Sequence, residues 1–134
     1  MNKMILKIIA IFIGVIVLAG CSGMASSSLV TEIKSMEQFN SMVENNQRLA
    51  VLFYFSGCPG CKIVSPFFND LAEQYEGQMV FCRVNVNKVR DVSKKFNARV
   101  VPRFMFFHHG KDVSGLVKIN DTDQMPELFR KYAQ

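Results

Sequence analysis

The sequence contains few cysteines and no extended repetition. Only four of its 134 residues are cysteine, and the chain lacks the spread of long-range pairs that a small disulfide-stabilised scaffold requires. It has no internal repeat, and its one low-complexity stretch is the six-residue segment GMASSS at positions 23–28. Hydrophobic residues make up 49% and charged residues 20% of the chain, which is ordinary globular composition. We therefore expect a single domain whose core needs no disulfide bonds.

The first twenty residues, MNKMILKIIAIFIGVIVLAG, have the pattern of a secretory signal. Lys3 and Lys7 form its positive region, an apolar stretch occupies residues 8–18, and small residues follow. The apolar stretch is shorter than the roughly 20 residues that a membrane-spanning helix needs. The pattern therefore predicts a signal peptide over residues 1–20, and an uncleaved anchor that continues to Ala25 is the alternative.

The end of this segment resembles the lipobox of bacterial lipoproteins, because Leu18, Ala19 and Gly20 stand directly before Cys21. The resemblance implies cleavage before Cys21 and acylation of that cysteine, and each buried CH₂ of an acyl chain contributes about 0.8 kcal/mol to membrane binding. Residues 21–27 would then form the lipidated N-terminus and a small, polar tether. We therefore expect a domain over residues 28–134 that is lipid-anchored in a bacterial cell envelope and faces the periplasm or the exterior.

The remaining residues alternate between strand and helix patterns. Apolar runs predict strands at residues 29–33, 49–55, 79–86, 103–107 and 113–119. Helical spacing predicts a helix after the capping residue Ser35, and further helices at residues 62–77, at 88–96 and from about residue 122 onward. Pro66 predicts a kink in the second helix. This order predicts an α/β fold in which a central mixed β-sheet is flanked by helices.

Cys58 and Cys61 lie in the stretch YFSGCPGCKIVSPFF, between an apolar strand and the start of a helix. Unsatisfied backbone N–H groups and the positive end of the helix dipole favour a thiolate over a thiol at Cys58. Pro59 suits the first helical position because that position needs no N–H group. Cys61 follows about one turn later, close enough to form a disulfide. The arrangement predicts thiol–disulfide exchange, with attack by Cys58 and resolution by Cys61.

The sequence leaves other interpretations of this cysteine pair open. It could brace a turn, although so short a loop gains little from closure entropy. It could belong to a metal carrier and hold copper(I) or zinc, with His108, His109 or Cys82 as further ligands. The domain could also be a binding module without catalytic activity. Cys82 itself has the character of a small, buried apolar residue.

Taken together, these residues resemble the thioredoxin family. The resemblance rests on the apolar strand at residues 49–55, the CPGCK segment at residues 58–62, the Val101-Pro102 dipeptide before a later strand, and Gly110. It implies the thioredoxin-like fold, a cis Pro102 packed against the cysteine pair, and a client chain positioned by the Val101 backbone and Pro102. It also implies protein disulfide or dithiol clients and a partner that recycles the pair, with no bound cofactor or metal.

Three features depart from the pattern of that family. Leu52 stands where thioredoxins usually carry a buried aspartate, and Gly57 stands where they usually carry a tryptophan. The inner dipeptide is Pro-Gly rather than Gly-Pro, and the chain contains no tryptophan at all. We expect these changes to alter the redox potential and the kinetics of the pair more than the fold.

Residues 83–103 carry seven lysines and arginines against a single acidic residue, Asp91. A solvated helix face is the simplest interpretation, and a rim that attracts acidic clients or anionic headgroups is the alternative. Nothing in the sequence resembles a nucleic-acid-binding motif. The sequence thus predicts a monomeric, membrane-anchored, extracytoplasmic thiol–disulfide oxidoreductase that binds no nucleic acid.

Overall fold

A computed structural model describes residues 28–134 of the chain. The predicted signal peptide, the lipidation site Cys21 and the tether up to residue 27 lie outside the described residues. Within residues 28–134, no helix is both long enough and apolar enough to cross a membrane.

The described residues alternate between strands and helices. The elements are β1 (Val30–Ile33), α1 (Met36–Asn45), β2 (Arg48–Tyr54), α2 (Pro59–Gln74), β3 (Val80–Asn85), α3 (Arg90–Lys95), β4 (Arg103–His108), β5 (Lys111–Asp112), a 3-10 turn (Thr122–Gln124) and α4 (Met125–Ala133). The strands form one sheet in the order β1-β3-β2-β4-β5. β3 runs parallel to both β1 and β2, whereas β4 is antiparallel to β2 and β5 is antiparallel to β4. The predicted α/β fold with a central mixed sheet is confirmed.

Two hydrophobic clusters cover the two faces of this sheet. Every residue of β2 from Leu49 to Phe53 is buried, which explains the unbroken apolar run in the sequence. Alternate β2 side chains enter opposite clusters. One cluster joins Ala50 and Leu52 to Phe68 of α2 and Phe129 of α4, and the other joins Leu49, Val51 and Phe53 to Phe39 of α1 and Val92 of α3. Each fully buried side chain of this size contributes about 1.5–3 kcal/mol to folding, so the clusters fix all four helices on the sheet.

The predicted cap of the first helix is present in a slightly different form. Ser35 Oγ accepts the backbone N–H of Gln38 at 3.1 Å, which satisfies one unpaired donor of the first turn of α1. The Gln38 side chain accepts the backbone N–H of Lys34 at 2.8 Å, one residue before the capping residue. The spacing of the two polar residues therefore predicted the start of this helix correctly.

The prediction of a final strand at residues 113–119 is wrong in its extent. The structure has only the two-residue β5 before this segment, and a single bridge between Phe104 and Val117 within it. Asp112 Oδ1 accepts the backbone N–H groups of Ser114 and Gly115 at 3.0 and 2.7 Å. Gly115 adopts a φ of +62°, in the left-handed region that favours glycine. The chain therefore turns here and pairs with β4 again only at Val117.

The helix boundaries differ from the predicted ones by a few residues. α2 begins at Pro59 rather than at residue 62, because the cysteine before it caps the helix. α3 begins at Arg90 rather than at residue 88, because Asn85 O accepts the N–H groups of Lys88 and Val89 in a turn. α2 continues through Pro66 to Gln74, and the predicted kink at Pro66 stays a prediction.

Candidate redox site

Cys58 and Cys61 form a disulfide at the start of α2, with their Cα atoms 5.2 Å apart. Cys58 is the N-cap of the helix and has an extended backbone, with φ −80° and ψ 116°. Its Sγ accepts the backbone N–H of Cys61 at 3.1 Å, and Pro59 occupies the first turn, where no backbone N–H is needed. The structure therefore places both predicted cysteines at the strand-to-helix junction that the sequence indicated.

This geometry favours negative charge on the Cys58 sulfur once the disulfide is reduced. The N–H of Cys61 already points at the sulfur, and the sixteen residues of α2 direct the positive end of their dipole toward it. Cys58 is 5% exposed and Cys61 is 2% exposed, so Cys58 is the more accessible of two nearly buried residues. These observations suit a nucleophile at Cys58 and an internal thiol at Cys61.

The segment before β4 packs against the disulfide. The Val101–Pro102 peptide bond is cis, and Cys58 Sγ lies 3.8 Å from the Val101 carbonyl oxygen. On the other side, a Cβ added at Gly60 would lie only 3.2 Å from Pro102 Cδ. The cis Pro102 beside the cysteines, which the family resemblance implied, is therefore present. The close approach of the proline ring gives a physical reason for glycine at position 60.

A shallow groove of about 260 Å³ runs from this contact toward the 3-10 turn. It is lined by Gly60, Ile63, Val64, Pro102, Ile119, Asn120, Asp121 and Thr122. Two apolar side chains on the segments that meet at the disulfide are strongly exposed: Ile63, two residues after Cys61, is 60% exposed, and Val100, next to Val101, is 61% exposed. Exposed apolar side chains beside a groove are suited to contact with another chain.

The space beneath the cysteine pair holds no aspartate from β2. Leu52 is 1% exposed and lies in the hydrophobic cluster with Val64 and Phe68 of α2. In the sheet, Leu52 is paired with Arg83 of β3, and Arg83 is paired in turn with Glu32 of β1. Position 52, one of the departures noted in the sequence, therefore lies in a fully apolar environment.

Glu32, Arg83 and Tyr54 form a polar network on this face of the sheet. Arg83 pairs with Glu32, each about a third exposed, and the Tyr54 hydroxyl donates to Glu32 Oε1 at 2.7 Å. Burial, and then the hydrogen bond to Glu32, raise the pKa of Tyr54 above its usual value. Sequence analysis missed this network because its members stand on three different strands, at separations of 22 and 51 residues.

Cys82 lies outside the site of thiol exchange. It is completely buried in β3, it forms no disulfide, and it belongs to the cluster on the opposite face of the sheet from Leu52. Burial, with a smaller contribution from Glu32, raises the pKa of the Cys82 thiol far above its usual value. The interpretation of Cys82 as a small, buried apolar residue is confirmed.

The part of the chain that the structure describes contains no cluster of side chains that would support the metal-carrier hypothesis. Among residues 28–134, no three or more histidine, cysteine, aspartate or glutamate side chains gather in one place. His108 is the last residue of β4, and His109 follows in the turn with a φ of +48°. Their rings lie 4.6 Å apart, at the far end of β4 from Pro102.

Comparison with known proteins gives one consistent family. The sequence model of the family described as Thioredoxin matches residues 30–131. Thioredoxin 1 of Plasmodium falciparum is 31% identical over 105 residues, which cover 78% of this chain and 99% of that protein. Thioredoxin H4 of Arabidopsis thaliana is 31% identical over 93 residues, covering 69% of this chain and 78% of that protein. A solved structure of Plasmodium falciparum thioredoxin superposes with a TM-score of 0.72 at 28% identity, and covers 77% of this chain and 99% of that one.

We predict that Cys82 resists alkylation in the folded, reduced protein. Its thiol is buried and its raised pKa keeps it protonated, so iodoacetamide at about pH 8 should modify Cys58 rapidly and leave Cys82 unmodified. Peptide mapping by mass spectrometry measures both sites in one sample. In guanidinium chloride both cysteines should react, which serves as the control. Equal modification of Cys82 and Cys58 in the native protein would contradict the described packing.

Proposed function

The chain belongs to the thioredoxin family, and we propose that it is a membrane-anchored, extracytoplasmic thiol–disulfide oxidoreductase that exchanges disulfides with client proteins through Cys58 and Cys61. Family membership and the disulfide-forming pair establish the general activity, which is thiol–disulfide exchange. The observation that carries the proposed roles is the placement of Cys58 Sγ at the N-cap of α2, where it accepts the N–H of Cys61.

In the reducing direction, the reaction proceeds in two exchanges. The Cys58 thiolate attacks one sulfur of a client disulfide, which forms a mixed disulfide and releases the other client sulfur as a thiolate. The Cys61 thiolate then attacks Cys58 Sγ, which forms the Cys58–Cys61 disulfide and releases the second client sulfur. Two electrons pass from the cysteine pair to the client. The oxidising direction is the same sequence in reverse.

The residues around the pair support each exchange. The N–H of Cys61 stabilises negative charge on Cys58 Sγ, both before attack and when Cys58 leaves. The Val101 carbonyl lies 3.8 Å from Cys58 Sγ, where it and Pro102 are suited to align an extended client chain beside the sulfur. Because Leu52 provides no carboxylate, the proton of Cys61 must leave to solvent or to the departing client thiolate.

The pair needs a second redox partner to complete a cycle. A reductase must be reduced again after each turnover, and an oxidase must be oxidised again, because the protein's own cysteines carry only two electrons. No cofactor is required for either direction, since the sulfur atoms of Cys58 and Cys61 perform the exchange. The partner is therefore expected to be another dithiol or disulfide carrier.

The proposed location rests on the sequence of residues 1–27. Two lysines, an apolar stretch and the lipobox-like residues before Cys21 support export and acylation of Cys21. A lipid anchor and the short polar tether at residues 21–27 would hold the domain of residues 28–134 close to a membrane of the bacterial cell envelope. The domain itself is proposed to act as a monomer.

We predict that Cys61→Ser traps clients as mixed disulfides with Cys58. Without the resolving thiol, the intermediate persists, so slow-migrating, dithiothreitol-sensitive adducts should accumulate on non-reducing gels. The amount of adduct should be at least about tenfold higher than with the natural sequence, since only external thiols can then resolve the mixed disulfide.

The matched control for this experiment is the double variant Cys58→Ser, Cys61→Ser, which should form no adducts. If the double variant formed as much adduct as Cys61→Ser, the adducts would come from another cysteine. A clean non-reducing gel for Cys61→Ser would contradict the proposed exchange with client proteins.

We predict that Cys21→Ser prevents lipid anchoring. The variant cannot be acylated, so the protein should be lost from the membrane fraction after cell breakage. Ser22→Ala is the matched control and should stay in the membrane fraction. Unchanged membrane retention of Cys21→Ser would show that the apolar segment remains as an uncleaved anchor.

A further inference from the structure

Basic side chains flank the cis-proline segment that contacts the disulfide. Arg99 stands two residues before Val101, whose carbonyl lies 3.8 Å from Cys58 Sγ, and its side chain is exposed. Arg103 Nη1 donates to the Pro102 carbonyl at 2.9 Å, which holds its guanidinium beside the cis proline. The segment that faces the Cys58 sulfur is therefore flanked by a positive charge at each end.

A second basic segment approaches from the turn between β3 and α3. Val86 N donates to Tyr54 O at 2.9 Å, and the Asn85 amide donates to Ser56 Oγ at 3.4 Å. These bonds attach the turn to the loop that leads into Cys58. The turn and the first residue of α3 carry the exposed Lys88 and Arg90. We use the term basic rim for Lys88, Arg90, Arg99 and Arg103.

The chain segment that carries the basic rim contains almost no acidic side chain. Among residues 80–110, all of which the structure describes, Asp91 is the single acidic residue. Its Oδ1 accepts its neighbour's backbone N–H, that of Val92, at 2.9 Å. The positive charge of the rim is therefore largely uncompensated and available to a partner.

The groove beside Pro102 carries charge of the other sign. Asp121 lines it together with Pro102 and Gly60, and Asp123 follows in the 3-10 turn. Asp121 Oδ1 accepts the N–H of Asp123 at 3.2 Å, and both residues are exposed. The lining of the groove therefore carries one acidic side chain, Asp121, and no basic one, so the basic rim lies outside the groove, on the segments next to Pro102.

We propose that the basic rim selects client segments that carry aspartate or glutamate next to the reactive cysteine. These acidic residues lie on the side of the client cysteine that faces Val100 and Arg99. This inference rests on the proposed exchange with client proteins and names the class of client. Opposite charges raise the encounter rate and position the segment, while like charges disfavour it, so acidic and basic clients should differ in rate. The apolar Ile63 and Val100 supply contact area without a preference for either charge.

The test compares three peptides that differ only in the residues beside the cysteine. Each carries one cysteine in a mixed disulfide with thionitrobenzoate, flanked by either two glutamates or two lysines, and a third peptide carries serines. The reduced full chain in neutral detergent micelles reacts with each peptide, and the released thionitrobenzoate is followed by its colour. We expect the glutamate peptide to react about tenfold faster than the lysine peptide at low salt. The ratio should fall toward one at about 0.5 M salt, because screening weakens the rim.

A double variant, Arg99→Gln with Lys88→Gln, should lower the glutamate-to-lysine ratio to about threefold or less, because half of the rim charge is removed. Lys131→Gln, an exposed residue in the last turn of α4, is the matched control and should leave the ratio unchanged. Arg90→Gln provides an independent variant if the double variant does not fold, and it should lower the ratio in the same direction.

The outcomes separate this inference from the proposed function. If no peptide reacts, thiol exchange itself fails and the inference fails with it. If all three peptides react at the same rate, exchange stands and the inference is overturned. If the ratio stays at one while the double variant loses binding to phosphatidylglycerol vesicles, the basic rim contacts the membrane instead of clients, which also overturns the inference.

Discussion

The structure depends on one local interaction, the capping of α2 by a cysteine sulfur. Cys58 Sγ takes the place of the serine or aspartate oxygen that usually accepts a free N–H in the first turn of a helix, here that of Cys61. The same contact fixes the start of the helix, holds the two sulfur atoms within bonding distance and stabilises a thiolate. The buried strand β2 leads into this position, and the segment before β4 packs against it, with the Val101 carbonyl 3.8 Å from the sulfur and Pro102 close to Gly60.

The chemistry is located at one edge of the sheet because the topology brings three loops together there. The loops after β2 and β3 leave parallel strands at the same edge, and the segment before β4 returns to it because β4 is antiparallel to β2. The hydrophobic clusters hold the edge in place from both faces. The charged residues on these loops, and Asp121 in the groove beside Pro102, lie outside the clusters, so their signs can vary without any change in the core.

The features that local sequence determines were predictable, and those that depend on distant contacts were not. The run of β2, the cap at Ser35 and the cysteine pair each follow from residues within one short stretch. The final strand was predicted too long because its turn depends on Asp112 bonding two backbone N–H groups. The network of Glu32, Tyr54 and Arg83 left no local signal, since strand pairing alone brings its members together. The position of Asp121 in the groove beside Pro102 likewise left no local signal, because it depends on the packing of distant segments.

The reduction potential of the Cys58–Cys61 pair tests the central claim most directly. The full chain would be equilibrated in glutathione buffers of graded ratio, and the oxidised fraction of the two cysteines would be measured by alkylation and mass spectrometry. A redox-active pair predicts a reversible two-electron transition between about −270 mV, which suits a reductant, and about −120 mV, which suits a disulfide donor. A potential below about −300 mV would identify a structural disulfide and contradict the account.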